Sequence, residues 1–303
     1  MSQNAVVLWT GGKDSALALF LAQKRGVVVK ELVTFAPPDA EFLAHPLAVM
    51  SLQAVALGLK HRVMNVEAPY DEGYRKQLQL LQNEGVEMLI TGDIAEINGQ
   101  PNFIQTQAEP LGMEVWTPLW KKSRWDLMGA LLAAGFHVIF SCVKPPWLTP
   151  SWVGRRLDRK SLQELSDIHV KTGMDLCGEQ GEYHTLVLDG PGFNRRVELS
   201  ENKVINRGDL AYLQISQARL LLPGEAPTEA ELNLALPREL NRPTKVKLCS
   251  QCGKAFFCGP GQTDGECWCQ TLPQIGPVAG PGVDCMCPEC LKEKVGETSN
   301  SQH

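Results

Sequence analysis

Residues 5–25, AVVLWTGGKDSALALFLAQKR, constrain this chain more than any other stretch. The apolar run Ala5–Trp9 reads as a buried strand. It breaks at Thr10-Gly11-Gly12-Lys13-Asp14-Ser15 and passes directly into a helix with apolar residues at Ala16, Leu17, Phe20 and Leu21. Strand, glycine turn and helix start together suit an anion. The glycines let the backbone approach a phosphate closely, and the helix offers unpaired N–H groups at the positive end of its dipole. Thr10 and Ser15 add hydroxyl donors without adding charge. The spacing is neither that of G-x-x-x-x-G-K-[ST] nor that of G-x-G-x-x-G. A plainer alternative is a glycine hinge with Asp14 complementing the helix dipole.

Downstream, strand and helix patterns alternate. Strands are expected at 27–35, 61–66, 86–90, 113–117 and 136–143, and helices from Pro46, over 70–84, near 103–111 and over 124–134. This order predicts a doubly wound parallel sheet in an α/β fold, with ligands at the carboxyl ends of strands where strand order reverses. Thr10–Ser15 and Gly92-Asp93 both fall at such ends. Residues 193–222 read as antiparallel strands turning at 206–209, either covering a sheet edge or completing a pocket. Residues 223–246 read as a proline-rich linker with a short helix at 228–236.

The 303 residues suffice for a large domain and a smaller one, and the net charge of −5 argues against a nucleic-acid partner. No run of 18 apolar residues and no charged leader segment is present, so the expectation is a cytoplasmic chain without a membrane span.

Residues 144–158 are loop-like and rich in tryptophan and arginine, and a helix is expected over 160–171. A polar island follows at Cys177-Gly178-Glu179-Gln180-Gly181-Glu182-Tyr183-His184-Thr185, before a strand at 186–188. The island reads either as a solvated turn or as a site that handles metal-bound phosphate or ammonia. Carboxylates suit Mg²⁺, and a histidine titrates near neutral pH.

Eight of the ten cysteines fall between 249 and 290: Cys249, Cys252, Cys258, Cys267, Cys269, Cys285, Cys287 and Cys290. In a chain without a secretion signal such a cluster more often holds metal than disulfides, and eight thiolates suffice for two closed structural Zn²⁺ sites. Disulfides and an iron–sulfur cluster are the alternatives. Pairing 249/252 with 287/290 at one ion is the expected arrangement. So short and glycine-rich a segment would draw its folding energy from the metal. Cys142 and Cys177 stand apart, and small buried residues are the simpler reading of both.

The TGGKDS loop resembles the SGGxDS pyrophosphate loop of the N-type ATP pyrophosphatases (PP-loop enzymes), with Thr10 replacing the first serine. GEQGEYHT at 178–185 resembles the second signature of their diphthine–ammonia ligase-like branch. His45-Pro46, Gly92-Asp93-Ile94 and Gly154–Asp158 extend the similarity over roughly residues 5–222. The cysteine segment resembles the CWC family through Cys267-Trp268-Cys269. The resemblance implies an adenine nucleotide alpha hydrolase-like domain over 1–222, the linker over 223–246, a zinc module over 247–292 and a disordered tail over 293–303. It also implies an ATP-dependent ligase that adenylates a carboxylate, releases pyrophosphate and forms an amide with ammonia or an amine. In that enzyme Thr10, Gly11, Gly12, Lys13, Asp14 and Ser15 hold ATP with Mg²⁺. Glu179, Glu182 and His184 organise the acceptor, and Asp93 serves metal or substrate. Gln180 and His184 depart from the EGGEYET form of the branch that makes diphthamide, which leaves the acceptor open. Two other readings stand beside it: an RNA thiolase, which needs a cysteine pair or an iron–sulfur cluster beside the ATP site and for which only Cys142 and Cys177 are available in that domain, and an ATP-responsive adaptor whose zinc module meets a protein partner.

Overall fold

The computed structural model describes residues 4–38, 40–96, 99, 101–221, 245–249, 251, 255–258, 286, 290 and 291. Five strands, β1 (Ala5–Leu8), β2 (Val29–Ala36), β3 (Lys60–Asn65), β4 (Met88–Ile90) and β5 (Glu114–Trp116), form a sheet in the order β3-β2-β1-β4-β5. Every neighbouring pair is parallel. The crossovers carry α1 (Lys13–Lys24), α2 (Leu47–Ala56), α3 (Tyr70–Asn83) and α4 (Phe103–Ala108). The chain steps outward from β1 to β3 and resumes on the other side of β1. Strand order therefore reverses between β1 and β4, as the sequence pattern predicts, and a crevice opens at their carboxyl ends.

Side-chain alternation explains why these strands read as unbroken apolar runs. Val6, Val33 and Leu89 face a core with Leu78 and Leu81 of α3, whereas Val7, Leu32 and Ile90 face a second core with α1 and α2. Both faces are covered, so both phases of the period-two pattern are apolar. Burying Leu78 and Leu81 fully contributes about 1.5–3 kcal/mol each. In α1, Ser15 to Leu19 are all buried, because the helix is packed between the parallel sheet and a second sheet.

That second sheet corrects one expectation. β6 (His137–Val143) does not extend the parallel sheet. It pairs antiparallel with β7 (Tyr183–Asp189) and with β9 (Leu210–Leu221), and β9 pairs with β8 (Arg196–Arg207), giving the order β7-β6-β9-β8. Six of the seven β6 residues are buried, and Phe140 meets Trp152 and Tyr183 edge-on at centroid distances of 5.2 and 5.1 Å. A strand covered on both faces carries the same apolar run in either kind of sheet, so periodicity could not separate them. The hairpin of β8 and β9 turns at Gly208, where φ is +59°, inside the turn expected at 206–209. Its strands join β6 rather than the edge of the parallel sheet.

Two helices flank these strands in sequence, α5 (Arg124–Ala133) and α6 (Arg159–Thr172). Asp158 and Ser161 close α6 with a capping box, and Gly173 ends it with φ at +74°. A short hairpin, β10 (Lys245–Leu248) and β11 (Ala255–Cys258), touches α2. Cys249, Met286 and Cys290 are buried in the core that α1 and α2 share with the second sheet. The helix expected at 228–236, residues 223–244 of the linker and the tail over 293–303 lie outside the described residues. Among the described residues no helix is long and apolar enough to cross a membrane.

Candidate active site

A cavity of about 560 Å³ lies at the carboxyl ends of β1 and β4, where the strand order reverses. The glycine loop forms its floor. Gly11 has φ at +75°, and a Cβ there would stand 2.5 Å from Gln53 Oε1, so the tight turn requires glycine. Gly12 is the N-cap of α1 and supplies no side-chain cap, which leaves the first N–H groups of the helix to other acceptors. Ser15 Oγ donates to the Gly12 carbonyl at 3.1 Å and lies 3.2 Å from Thr10 Oγ1, so the two hydroxyls brace the loop. Gly92 lets the end of β4 reach this turn. A Cβ there would stand 2.6 Å from the backbone of Asp14 and Ser15.

The second motif is seated on the first. Val187 N donates to the Gly11 carbonyl at 3.0 Å, and Lys13 N donates to Thr185 Oγ1 at 3.1 Å. β7 is an edge strand of its own sheet, and its unpaired edge docks onto the glycine loop. Gln53 locks the junction. Its amide donates to the Gly11 and Val187 carbonyls at 2.9 and 2.7 Å, and its Oε1 accepts from the Trp9 indole at 3.0 Å. Gln53→Leu would orphan the indole N–H and weaken both carbonyls. A destabilisation of about 2 kcal/mol and a matching loss of ligand affinity are expected, read by urea unfolding and calorimetry.

The predicted site residues divide into those that face the cavity and those that hold its walls. Thr10, Gly12, Lys13, Asp14, Ser15, Asp93, Glu179 and His184 line it, and Gly11 shapes the loop from behind. Lys13 is buried, and its ammonium is tied to Asp14 Oδ2 at 2.7 Å and the Cys177 carbonyl at 2.5 Å, 5.4 Å from the centre of the Tyr183 ring. Burial works against the ammonium, but Asp14 and the groups around it outweigh burial and hold its pKa above the usual lysine range. Asp93 receives Thr91 Oγ1 at 2.7 Å and Asn102 Nδ2 at 2.6 Å, both on Oδ2. Burial, reinforced by the charge of Asp14, pushes Glu179 up to about 7. Asp14 is likewise raised, mainly by burial.

Glu182 is different. Its carboxylate accepts from Asp175 N and Gln180 N, both at 2.8 Å, inside the loop that carries Glu179. It is buried and absent from the cavity lining. Asp175 in turn pairs with Arg124 at 3.0 Å.

Several lining residues were not singled out as site residues in the sequence. Trp9, Val33, Phe35, Phe42, Tyr74 and Ile104 make an apolar wall beyond the phosphate-sized floor. Phe35 and Tyr74 meet edge-on at 5.1 Å. His45 and His184 stand together, with centroids 5.3 Å apart. For Gln53 a signal was available: a polar side chain inside the apolar run Leu47–Ala56. Cys177 lines the cavity, but burial pushes its thiol up to about 12, which keeps it protonated and weakly nucleophilic. Cys142 lies in β6, buried and opposite His184 of β7, but is absent from the cavity lining.

Of the eight clustered cysteines, Cys249 and Cys290 are buried and Cys258 ends β11. Cys252, Cys267, Cys269, Cys285 and Cys287 lie outside the described residues. Among the described residues no three His, Cys, Asp or Glu side chains gather as a metal-binding group.

A diphthine–ammonia ligase of Schizosaccharomyces pombe is 26% identical over 262 residues, covering 77% of this chain and 42% of that protein. One of Danio rerio is 24% identical over 243 residues, covering 71% of this chain and 93% of that protein. The chain thus spans under half of the first relative and most of the second. Among solved structures, a predicted subunit of tRNA methyltransferase from Methanocaldococcus jannaschii aligns with a TM-score of 0.38 at 20% identity, covering 62% of this chain and 98% of that one. Residues 3–115 match the model of the diphthamide synthase N-terminal domain and residues 123–221 that of the diphthamide synthase C-terminal domain. By these two matches the chain belongs to the diphthamide synthase family.

Proposed function

We propose that this chain is an ATP-dependent ligase that adenylates a substrate carboxylate, releases pyrophosphate and forms an amide with ammonia or an amine. The observation that carries the reading is the docking of β7 onto the glycine loop, through Val187 to Gly11 and Thr185 to Lys13. It brings Glu179 and His184 into the same cavity as Thr10–Ser15. The names of the relatives agree with it.

In this reading the polyphosphate lies on the loop, facing the first turn of α1, with the Thr10 hydroxyl as a further donor. The apolar wall from Val33 to Phe35, with Phe42 and Tyr74, excludes water around the base. The chain contributes mainly position and electrostatic stabilisation of the phosphorus under attack. Glu179, raised to about 7, is poised to hold or release a proton at neutral pH on the acceptor side. Asp14 and Asp93 are hard oxygen donors suited to Mg²⁺, which takes one or two carboxylates plus substrate phosphates rather than a full protein cage. The ion, when bound, neutralises phosphate charge. For the cysteine segment we propose structural zinc, held by thiolates and separate from the chemistry.

The thiolase reading has less support, because Cys142 is absent from the cavity lining and burial pushes the Cys177 thiol up to about 12. Incubating the protein with α-labelled ATP, Mg²⁺ and ammonium, with and without metabolite extract, tests the proposal. AMP and pyrophosphate formed only with extract are expected. ADP, or no turnover despite tight ATP binding, would overturn the ligase and favour an adaptor.

A further inference from the structure

The floor of the cavity is short of free positive charge. Among the described residues Lys13 is its one lysine and is already tied to Asp14 and the Cys177 carbonyl, while Asp14, Asp93 and Glu179 are acidic. Two imidazoles stand beside this floor. His45 precedes α2, and its Cε1 lies 3.2 Å from the position a Cβ on Gly12 would take, so the ring rests against the N-cap of α1. His184 is the second residue of β7 and meets His45 edge-on, with centroids 5.3 Å apart. His45 Nδ1 is buried and has no hydrogen-bond partner among the described residues.

We propose that His45 and His184 form a proton-coupled phosphate clamp. They are neutral in the free protein and become imidazolium as the polyphosphate enters, so nucleotide binding takes up protons. The inference rests on the nucleotide reading above and adds a property that reading does not contain.

The charges around the pair support it. Lys13 and Asp14 from α1, Asp93 after β4 and Glu179 from the loop before β7 line the same cavity, and of these it is Lys13 whose charge reaches both rings. Burial first, then the neighbouring His184 and Lys13, push His45 down to about 3. His184 faces solvent on one side, yet the crowding of its ring and the Lys13 charge lower it as well. An incoming polyphosphate reverses that field. One phosphate charge about 5 Å away, at an effective dielectric near 20, raises an imidazole pKa by about two, and a polyphosphate brings several. The orphaned Nδ1 shows that His45 is not satisfied by the described residues.

The test uses full-length protein labelled with ¹⁵N-histidine and the α,β-methylene analogue of ATP at pH 7. Two of the six imidazoles should change from the neutral to the imidazolium pattern on binding, assigned by their absence from single His→Gln variants. In calorimetry the binding enthalpy should vary with buffer ionisation enthalpy, with a slope of one to two protons taken up. H45Q/H184Q should lose that slope and bind at least tenfold more weakly. Binding with both rings neutral, or with the same slope in wild type and double variant, would overturn the clamp while leaving the nucleotide reading intact. No binding at all would overturn both. Should the double variant fail to fold, the wild-type spectra decide alone.

Discussion

Replacing Lys13 with alanine is expected to destabilise the fold by about 3–5 kcal/mol and to abolish nucleotide binding. The ammonium is buried between Asp14 at 2.7 Å and the Cys177 carbonyl at 2.5 Å, so its removal strands a carboxylate and a carbonyl at once. The Asp14 side chain keeps 28% of its exposure and recovers some hydration, which favours the lower end of that range. Lys13→Met, which retains the stem, separates lost packing from lost charge. The Lys13 pKa lies above the ordinary 10.5, so its contribution is fully present below pH 10.5 and is lost only as pH rises through the still higher folded value. Titration of Lys13 itself therefore adds no pH dependence to the deficit of either variant between about pH 6 and 9. Urea unfolding of wild type, K13A and K13M checks this. A K13M midpoint equal to wild type would sink the pairing account.

The same lysine marks what the sequence could and could not convey. TGGKDS announced a strand, a tight turn and a buried helix start, and each is where local chemistry put it. The pattern could not say where the ammonium would reach. Its partner, the Cys177 carbonyl, lies 164 residues away and belongs to backbone, which leaves no trace in residue type. The parallel sheet was legible because β1, β2 and β4 are covered on both faces and alternate with helices. β6 was misplaced for the same reason, since HVIFSCV is equally covered on both faces but sits in an antiparallel sheet. His45 was visible only as part of His45-Pro46, and its meeting with His184 is a product of β7 docking across the glycine loop. Glu179 and Glu182 are nearly equivalent as letters, and only the loop geometry distinguishes them.

That distinction gives the other large effect. Glu182→Ala is expected to cost about 3–5 kcal/mol, because the carboxylate satisfies Asp175 N and Gln180 N, and bonds to a charged acceptor are each worth about 1.5–3 kcal/mol. Activity should fall with it, since the loop between those two N–H groups carries Glu179. Glu182→Gln keeps one acceptor oxygen and should recover part of the loss. Glu179→Gln should behave oppositely. Burial and the charge of Asp14 raise its carboxyl from 4.5 to about 7, so the folded state binds a proton more tightly than the unfolded one. Stability from this group is full below about pH 4.5 and is lost as pH rises through 7. Removing the charge should leave stability near pH 4 unchanged and raise the melting temperature at pH 8. Turnover at saturating ATP should nonetheless fall, because a proton-carrying group facing the cavity is gone. Melting curves at both pH values, together with kcat for the two variants, separate the roles. If E182A melts like wild type while E179Q unfolds early at pH 8, the assignment of one glutamate to the loop and the other to the chemistry is reversed.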